Sequence, residues 1–334
     1  MEAIGAEQAD IFADLIPEPK TRLLTERFLV PPFSVLDARQ GYWQARKREW
    51  LALGIRGELG RTPDAVPNSS NRPPEQDGCW KRGFGTLRIS EQSMKYAGGY
   101  NKDGTLKGTS GTSVFDPVLC EIAYRWFCPP AGHVLDPFAG GSVRGIVAAI
   151  LGLRYWGCDL RAEQIEANLE QAKAICPTDK IVWVVGDAID EIENAPTTDL
   201  IFTCPPYGDL ERYSDDPRDL STMDYHAFIA AFKRIIQRAC RQLRDNRFAV
   251  IVVGDFRDSR TGFYRNFVSH TIEAFEEQGL GLYNEVILVT AVGSLPIRIG
   301  KQFNGGRKIG KTHQNVLVFY KGDPKRIKDE FPGL

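Results

Sequence analysis

The sequence predicts an α/β protein whose mostly parallel sheet is covered by helices on both faces, and three observations lead there. From His133 onward, short apolar runs alternate with stretches of helical periodicity. Most of the runs are continuously apolar, as strands buried on both faces are. A glycine-containing turn follows the first run, where open α/β sheets bind ligands.

Seven strands are expected, in the segments "HVLDPF" (133–138), "YWGCD" (155–159), "IVWVVGD" (181–187), "DLIFTC" (199–204), "FAVIVVGD" (248–255), "YNEVILVT" (283–290) and "NVLVFYK" (315–321). Helical patterns lie between them. Residues 161–175 place Ile165, Leu169 and Ala172 on one face. Residues 224–243 do the same with Phe228, Phe232, Ile235, Ile236 and Ala239, and 267–275 continue the pattern. No helix is expected between the last two strands, which should pair antiparallel.

Upstream, residues 113–127 ("SVFDPVLCEIAYRWF") read as a helix with Asp116 as N-cap, Pro117 at the first position, and Val118, Ile122 and Trp126 on one face. Residues 41–55 read as one helix, with Trp43 and Trp50 on a related face. The Pro- and Asn-rich stretch 62–78 and the glycine-rich stretch 98–111 read as loops. The expected division is therefore an irregular extension over 1–107, a folded domain over 108–321 and a short tail over 322–334.

A chain of 334 residues, 43% hydrophobic and 25% charged, has the composition of an ordinary soluble protein. No apolar run approaches the length of a membrane span, and the first residues lack the basic and apolar regions of a signal peptide. Seven cysteines without a C-x-x-C pair, and four scattered histidines, argue against a disulfide framework and a zinc site. A reduced, cytoplasmic protein without metal or membrane is expected. Net charge is −1, but residues 291–328 concentrate the basic side chains. Mixed with glycines, residues 291–314 read as a flexible basic loop suited to following phosphates.

The segment "HVLDPFAGGSVRGIVAAILG" is strand, glycine turn and helix. Its glycines, Gly140, Gly141 and Gly145, do not have the dinucleotide-binding spacing. Asp136, Asp159 and Asp187 stand at three successive strand ends. Each alone could be a helix N-cap. Together beside the turn they suit S-adenosylmethionine, a cation carrying an amine, a ribose and an adenine, with Asp159 on the ribose diol and Asp187 on the exocyclic amine.

"LDPFAGGS" resembles the cofactor motif of the DNA amino-methyltransferases, and "TCPPY" (203–207) resembles their catalytic motif. The resemblance runs from about residue 108 to 321, in the gamma-type motif order, and is nearest to solitary methyltransferases of bacteriophages and mobile elements. It implies a Rossmann-like methyltransferase fold and a base rotated out of double-stranded DNA. The cofactor set it implies is Phe115, Asp116, Asp136, Pro137, Phe138, Gly140, Gly141, Ser142, Asp159, Leu160, Asp187 and Ala188. Ser142 is a departure, since the family usually has glycine there.

The resemblance further implies that Cys204, through its side chain, and the Pro205 carbonyl accept from the target amino group. Pro206 stiffens the corner and Tyr207 stacks on the base. Cys204 is the second departure: the family carries Asp, Asn or Ser there, and sulfur is a weaker acceptor. Three readings stay open. Pro205 and Thr203 carry most of the polarisation, or the base is an unusual one, or the chain binds without catalysing. A covalent pyrimidine mechanism fits poorly, because its motif has proline before cysteine.

DNA contacts are expected from the basic segment, through Arg298, Lys301, Gln302, Arg307, Lys308 and Lys311, with Asn304 as a further base reader. A second clamp is expected from residues 41–61, with Arg46, Lys47, Arg48, Arg56 and Arg61. The acidic stretch after the corner reads as a solvated loop capping the long helix, with a lid as the other reading. The alternatives to DNA methylation are the same chemistry on RNA, or a silent regulator that keeps the cofactor pocket.

Overall fold

Among the described residues, eight strands form one sheet, in the spatial order β1 (Val35–Asp37), β7 (Gly281–Val289), β8 (His313–Lys321), β6 (Leu243–Val253), β5 (Thr198–Thr203), β2 (His133–Asp136), β3 (Arg154–Asp159) and β4 (Ile181–Val185). The computed structural model describes residues 24–56, 115–208, 213–293 and 295–331, without the side chain of Arg298. The expected loops at 62–78 and 98–111, and Arg61, lie outside the described residues. Among those described, residues 24–33, with helix α1 (Leu24–Phe28), form a unit of their own. Everything that follows belongs to the second unit.

That unit runs β1 (Val35–Asp37), α2 (Gly41–Ala52), α3 (Pro117–Phe127), β2 (His133–Asp136), α4 (Val143–Ile150), β3 (Arg154–Asp159), α5 (Ala162–Ile175) and β4 (Ile181–Val185). It continues α6 (Ala188–Glu191), β5 (Thr198–Thr203), α7 (Tyr225–Gln242), β6 (Leu243–Val253), α8 (Phe267–Glu276), β7 (Gly281–Val289), α9 (Leu295–Gly306), β8 (His313–Lys321) and α10 (Ile327–Glu330). All seven expected strands are present. Every pairing is parallel except those of β8, which runs antiparallel to both β6 and β7. The fold is Rossmann-like α/β.

Side chains alternate across a strand, so a strand buried on both faces must be apolar throughout. In β5, Ile201 packs into the cluster built by Phe228 and Phe232 of α7 and Phe267 of α8. Its neighbour Phe202 meets Phe115 and Tyr124 edge-on, at 5.7 and 5.3 Å between centroids. Each such buried side chain contributes about 1.5–3 kcal/mol. The helix starts are the expected ones. Asp116 accepts from the Val118 N–H at 3.0 Å ahead of Pro117, and Asp224 accepts from His226 and Ala227 at 2.9 and 3.0 Å.

The structure corrects three expectations. An eighth strand, β1, pairs with the outer edge of β7, so part of the expected extension is built into the sheet. The basic segment contains a helix, α9, where a flexible loop was expected. Leu295, Ile299 and Phe303 recur at i, i+4 and i+8, and Gly305 and Gly306 fall at the helix end rather than inside a loop.

The third correction concerns Arg46 and Lys47 of the expected clamp, whereas Arg48 and Arg56 are exposed. Arg46 forks onto the buried Glu121 carboxylate with two bonds of 2.8 Å, and Lys47 donates to Asp116 at 2.9 Å. The Trp43 and Trp50 indoles donate to those same two carboxylates at 3.2 and 2.7 Å. These cations dock α2 onto α3, and a guanidinium spent on a buried carboxylate is not offered to a phosphate. No described helix is long and apolar enough to cross a membrane.

Candidate active site

A cavity of about 970 Å³ opens at the carboxyl ends of β2 to β6, where ligands of open α/β sheets sit. It is lined by the glycine turn on one side and the proline corner on the other. Pro137, Phe138, Gly140 and Gly141 come from the turn, and Cys204, Pro205, Pro206 and Tyr207 from the corner. Phe115 and Asp116 at the start of α3, Asp159 and Leu160 after β3, and Asp187 and Ala188 after β4 complete the expected set that reaches it. Two expected cofactor residues, Asp136 and Ser142, do not.

Asp136 is fully buried and its carboxylate is committed. It accepts from Arg144 Nε at 2.5 Å, from the Tyr155 hydroxyl at 2.6 Å and from Thr203 Oγ1 at 2.6 Å. A carboxylate holding a buried guanidinium and two hydroxyls is not available to a ligand amine, which corrects the expected role. Thr203 is likewise fully buried, with its hydroxyl spent on Asp136 and turned away from the cavity. Ser142 is buried too and donates to Gln171 at 2.7 Å.

Arg144 shapes the turn. Its Nη2 donates to the carbonyls of Phe138 and Ala139 at 2.6 and 3.0 Å, and its guanidinium lies 4.5 Å from the Phe115 ring centroid. The turn is closed by Gly140, whose φ of +48° favours glycine. The Gly140 N–H donates to Asp159 at 3.1 Å, and its carbonyl accepts from Asn168 at 2.7 Å. Gly145 allows the helix to approach β4: a Cβ there would stand 2.5 Å from the Trp183 ring.

Asp159 also accepts from the Arg161 N–H at 2.9 Å. Burial pushes its carboxyl up, against the pull of those backbone donors. Asp187 is the N-cap of α6, accepting from the Ile189 N–H at 2.8 Å, and it also lines the cavity. On the opposite wall, the Tyr207 hydroxyl accepts from Gln314 Nε2 at 2.7 Å. Its ring packs against Phe256 and Phe267 at centroid distances of 6.4 Å, and burial pushes the phenol well up.

Sequence reasoning missed the residues that hold the site together, Arg144, Tyr155 and Gln314. Arg144 left a signal, a lone charge inside the apolar helix "VRGIVAAI", which calls for a buried partner. Arg39, Gln44 and Lys47, on and just before α2, also reach the cavity. Of the residues expected to contact DNA, Lys311 of the basic segment lines it, as Lys47 of the expected clamp does. Lys301, Gln302, Arg307 and Lys308 are exposed on α9 and just after it. Asp219 and Leu220, beyond the corner, are buried and line the cavity, so that stretch is more than a solvated loop.

No protein-family model matches the sequence, and no curated protein matches it. Similar solved structures include TrmN from Thermus thermophilus, at 17% identity and TM-score 0.42, covering 62% of this chain and 49% of that one. A TehB-like S-adenosylmethionine-dependent methyltransferase from Corynebacterium glutamicum shares 19% identity at TM-score 0.39, covering 64% and 90%. Magnesium protoporphyrin IX methyltransferase from Synechocystis, solved with S-adenosylmethionine bound, shares 11% at TM-score 0.36, covering 57% and 71%. The chain thus spans about half the length of the Thermus protein.

Proposed function

We propose that this chain transfers a methyl group from S-adenosylmethionine to the exocyclic amino nitrogen of adenine or cytosine in double-stranded DNA. The observation that carries the reading is that the glycine turn and the Cys204–Pro205–Pro206–Tyr207 corner face each other across one cavity.

The residues present fit the cofactor. Gly140 and Gly141 leave the turn without side chains, and a Cβ on Gly141 would meet nothing within 4 Å, so a ligand approaches the backbone closely. Asp159 suits a ribose diol and Asp187 an amino group. Bound there, S-adenosylmethionine supplies a methyl group activated on a sulfonium. A volume of 970 Å³ is at the upper end for a single-ligand site and leaves room for a base.

An exocyclic amino nitrogen is a poor nucleophile because its lone pair is delocalised into the ring. The Cys204 side chain and the Pro205 carbonyl accept from its two hydrogens and direct the lone pair towards the methyl group. Held there, the nitrogen would take the methyl group from the bound cofactor's sulfonium and give up one amino proton to water. Neither proline offers a backbone donor, and both fix φ, so the Pro205 carbonyl is preorganised. Tyr207, held by Gln314 and two aromatic neighbours, stacks on the extruded base. Lys301, Gln302, Arg307, Lys308 and Lys311 contact the duplex.

The test is methyl transfer from radiolabelled S-adenosylmethionine to mixed-sequence duplex DNA and to total RNA, followed by nucleoside mass spectrometry. Label in N6-methyladenine or N4-methylcytosine is expected. Label only in RNA replaces DNA as the substrate. No label, with cofactor binding intact, rejects the reading.

A further inference from the structure

Between β6 and α8, residues 257–264 form a small rigid hairpin that the site described above does not use. Arg257 and Tyr264 bridge antiparallel. Asp258 closes the turn by accepting from the Arg260 and Thr261 N–H groups at 2.8 Å each, and its backbone N–H donates to the Phe263 carbonyl at 2.9 Å. Gly262 supplies the left-handed residue, with φ +77°. A turn so fully bonded is not frayed. Even so, Phe263, just after the turn and opposite Asp258, is 77% exposed, the most exposed large apolar side chain among the described residues.

The hairpin that carries it is basic. The Arg257 guanidinium lies 3.9 Å from the Tyr264 ring centroid. Arg260 stands exposed on the turn, and the Lys308 ammonium reaches to 3.4 Å from where a Gly262 Cβ would be. The one nearby acid in the turn, Asp258, is paired with Arg265 at 3.1 Å. The hairpin also adjoins the catalytic cavity. Tyr264 lines a smaller hollow of about 300 Å³ together with Asp255, Lys311 and His313, and these last three line the large cavity as well.

We propose that this hairpin is a nucleic-acid wedge, in which Phe263 enters the base stack beside the target nucleotide while Arg257, Arg260 and Lys308 meet the flanking phosphates. An exposed apolar ring on a basic hairpin complements a polyanion that presents stacked π-faces. Because the neighbouring Tyr264 lines the hollow that adjoins the cavity, the ring is placed to fill the gap that an extruded base leaves. That last role rests on the proposed function; the contact itself does not.

The experiment titrates the Phe263→Trp variant with a mixed-sequence 20-base-pair duplex and follows indole fluorescence, using the wild-type protein as the blank for its native tryptophans. Stacking predicts quenching of the variant beyond the blank. Phe263→Ala should bind the same duplex roughly tenfold more weakly, with S-adenosylmethionine affinity unchanged, and Arg260→Ala should flatten the salt dependence of binding. Excess quenching seen only with a single-stranded RNA of the same sequence supports the wedge with RNA as its ligand. Saturation without excess quenching, or duplex affinity unaltered in Phe263→Ala, overturns it. Excess quenching without methyl transfer keeps the wedge and rejects the proposed function; methyl transfer without excess quenching does the reverse.

Discussion

Thr203 donates its hydroxyl to Asp136 at 2.6 Å, which ties the residue just before the proline corner to the end of β2. The two halves of the site therefore share one buried carboxylate, which also holds Arg144 and Tyr155. The glycine turn and the proline corner are positioned by the same atom group.

Thr203→Val keeps the shape and removes the donor. Leaving the buried acceptor one bond short should cost about 1–3 kcal/mol, read as a lower urea midpoint at unchanged m-value. Methyl transfer should fall in kcat with cofactor affinity unmoved, and Thr203→Ser should restore both. Equal losses in the valine and serine variants would mean that the hydrogen bond is not what matters.

Arg144→Met should be far more damaging. It strands the Asp136 carboxylate in the core, a loss of about 3–5 kcal/mol. Adding Asp136→Asn should recover part of that in the same denaturation experiment, because the stranded charge is gone. A double variant no more stable than Arg144→Met alone would contradict the pairing.

Asp159→Ala should weaken S-adenosylmethionine binding at least about tenfold by calorimetry, a loss of roughly 1.4 kcal/mol. The effect has two sources, the lost acceptor for a ribose hydroxyl and the Gly140 N–H released from its bond. Unchanged affinity would remove Asp159 from the cofactor site.

Glu121 sets an acid limit on the docking of α2. Burial alone would raise its carboxyl, but Arg46, Trp50 and Arg125 outweigh burial and hold it below its ordinary value. Its folded pKa is therefore depressed, so its stabilisation is complete above the unfolded value of about 4.3 and is lost as pH falls through the folded one. Glu121→Gln should melt below wild type at pH 7, and the gap should close towards pH 3. A constant gap would mean that the charge of Glu121 does not stabilise the fold.

Periodicity and apolar runs made the seven principal strands, α5, α7 and α8 legible, most directly in β2, β5 and β6, where near-continuous burial marks composition. β1 left no such mark: three residues, one of them exposed and one half-buried, depend on the β7 edge to be a strand. α9 was hidden by its glycines and cations, which carry a loop signature although every fourth residue from Leu295 to Phe303 is apolar. In the site, Asp136 was legible as a strand-end acid but not as a buried one. The groups that claim it come from α4, β3 and β5, at sequence separations of 8, 19 and 67. The cations of α2 misled for the same reason, since their acids lie 69 to 75 residues away.

Because β8 runs against its neighbours, the chain leaves β7 and re-enters the sheet at one edge, the edge that carries the cavity. Thr290 closes that excursion by donating its N–H to the Thr312 carbonyl at 2.9 Å. Residues 291–311 are thus a cassette with a clasped base. Its length and sequence are free to vary without disturbing strand register, since lengthening a closed loop costs little. Under the proposed function, nucleic-acid preference is in this way separable from methyl transfer: exchanging the cassette should retarget the chain while the Asp136-centred frame stays as it is.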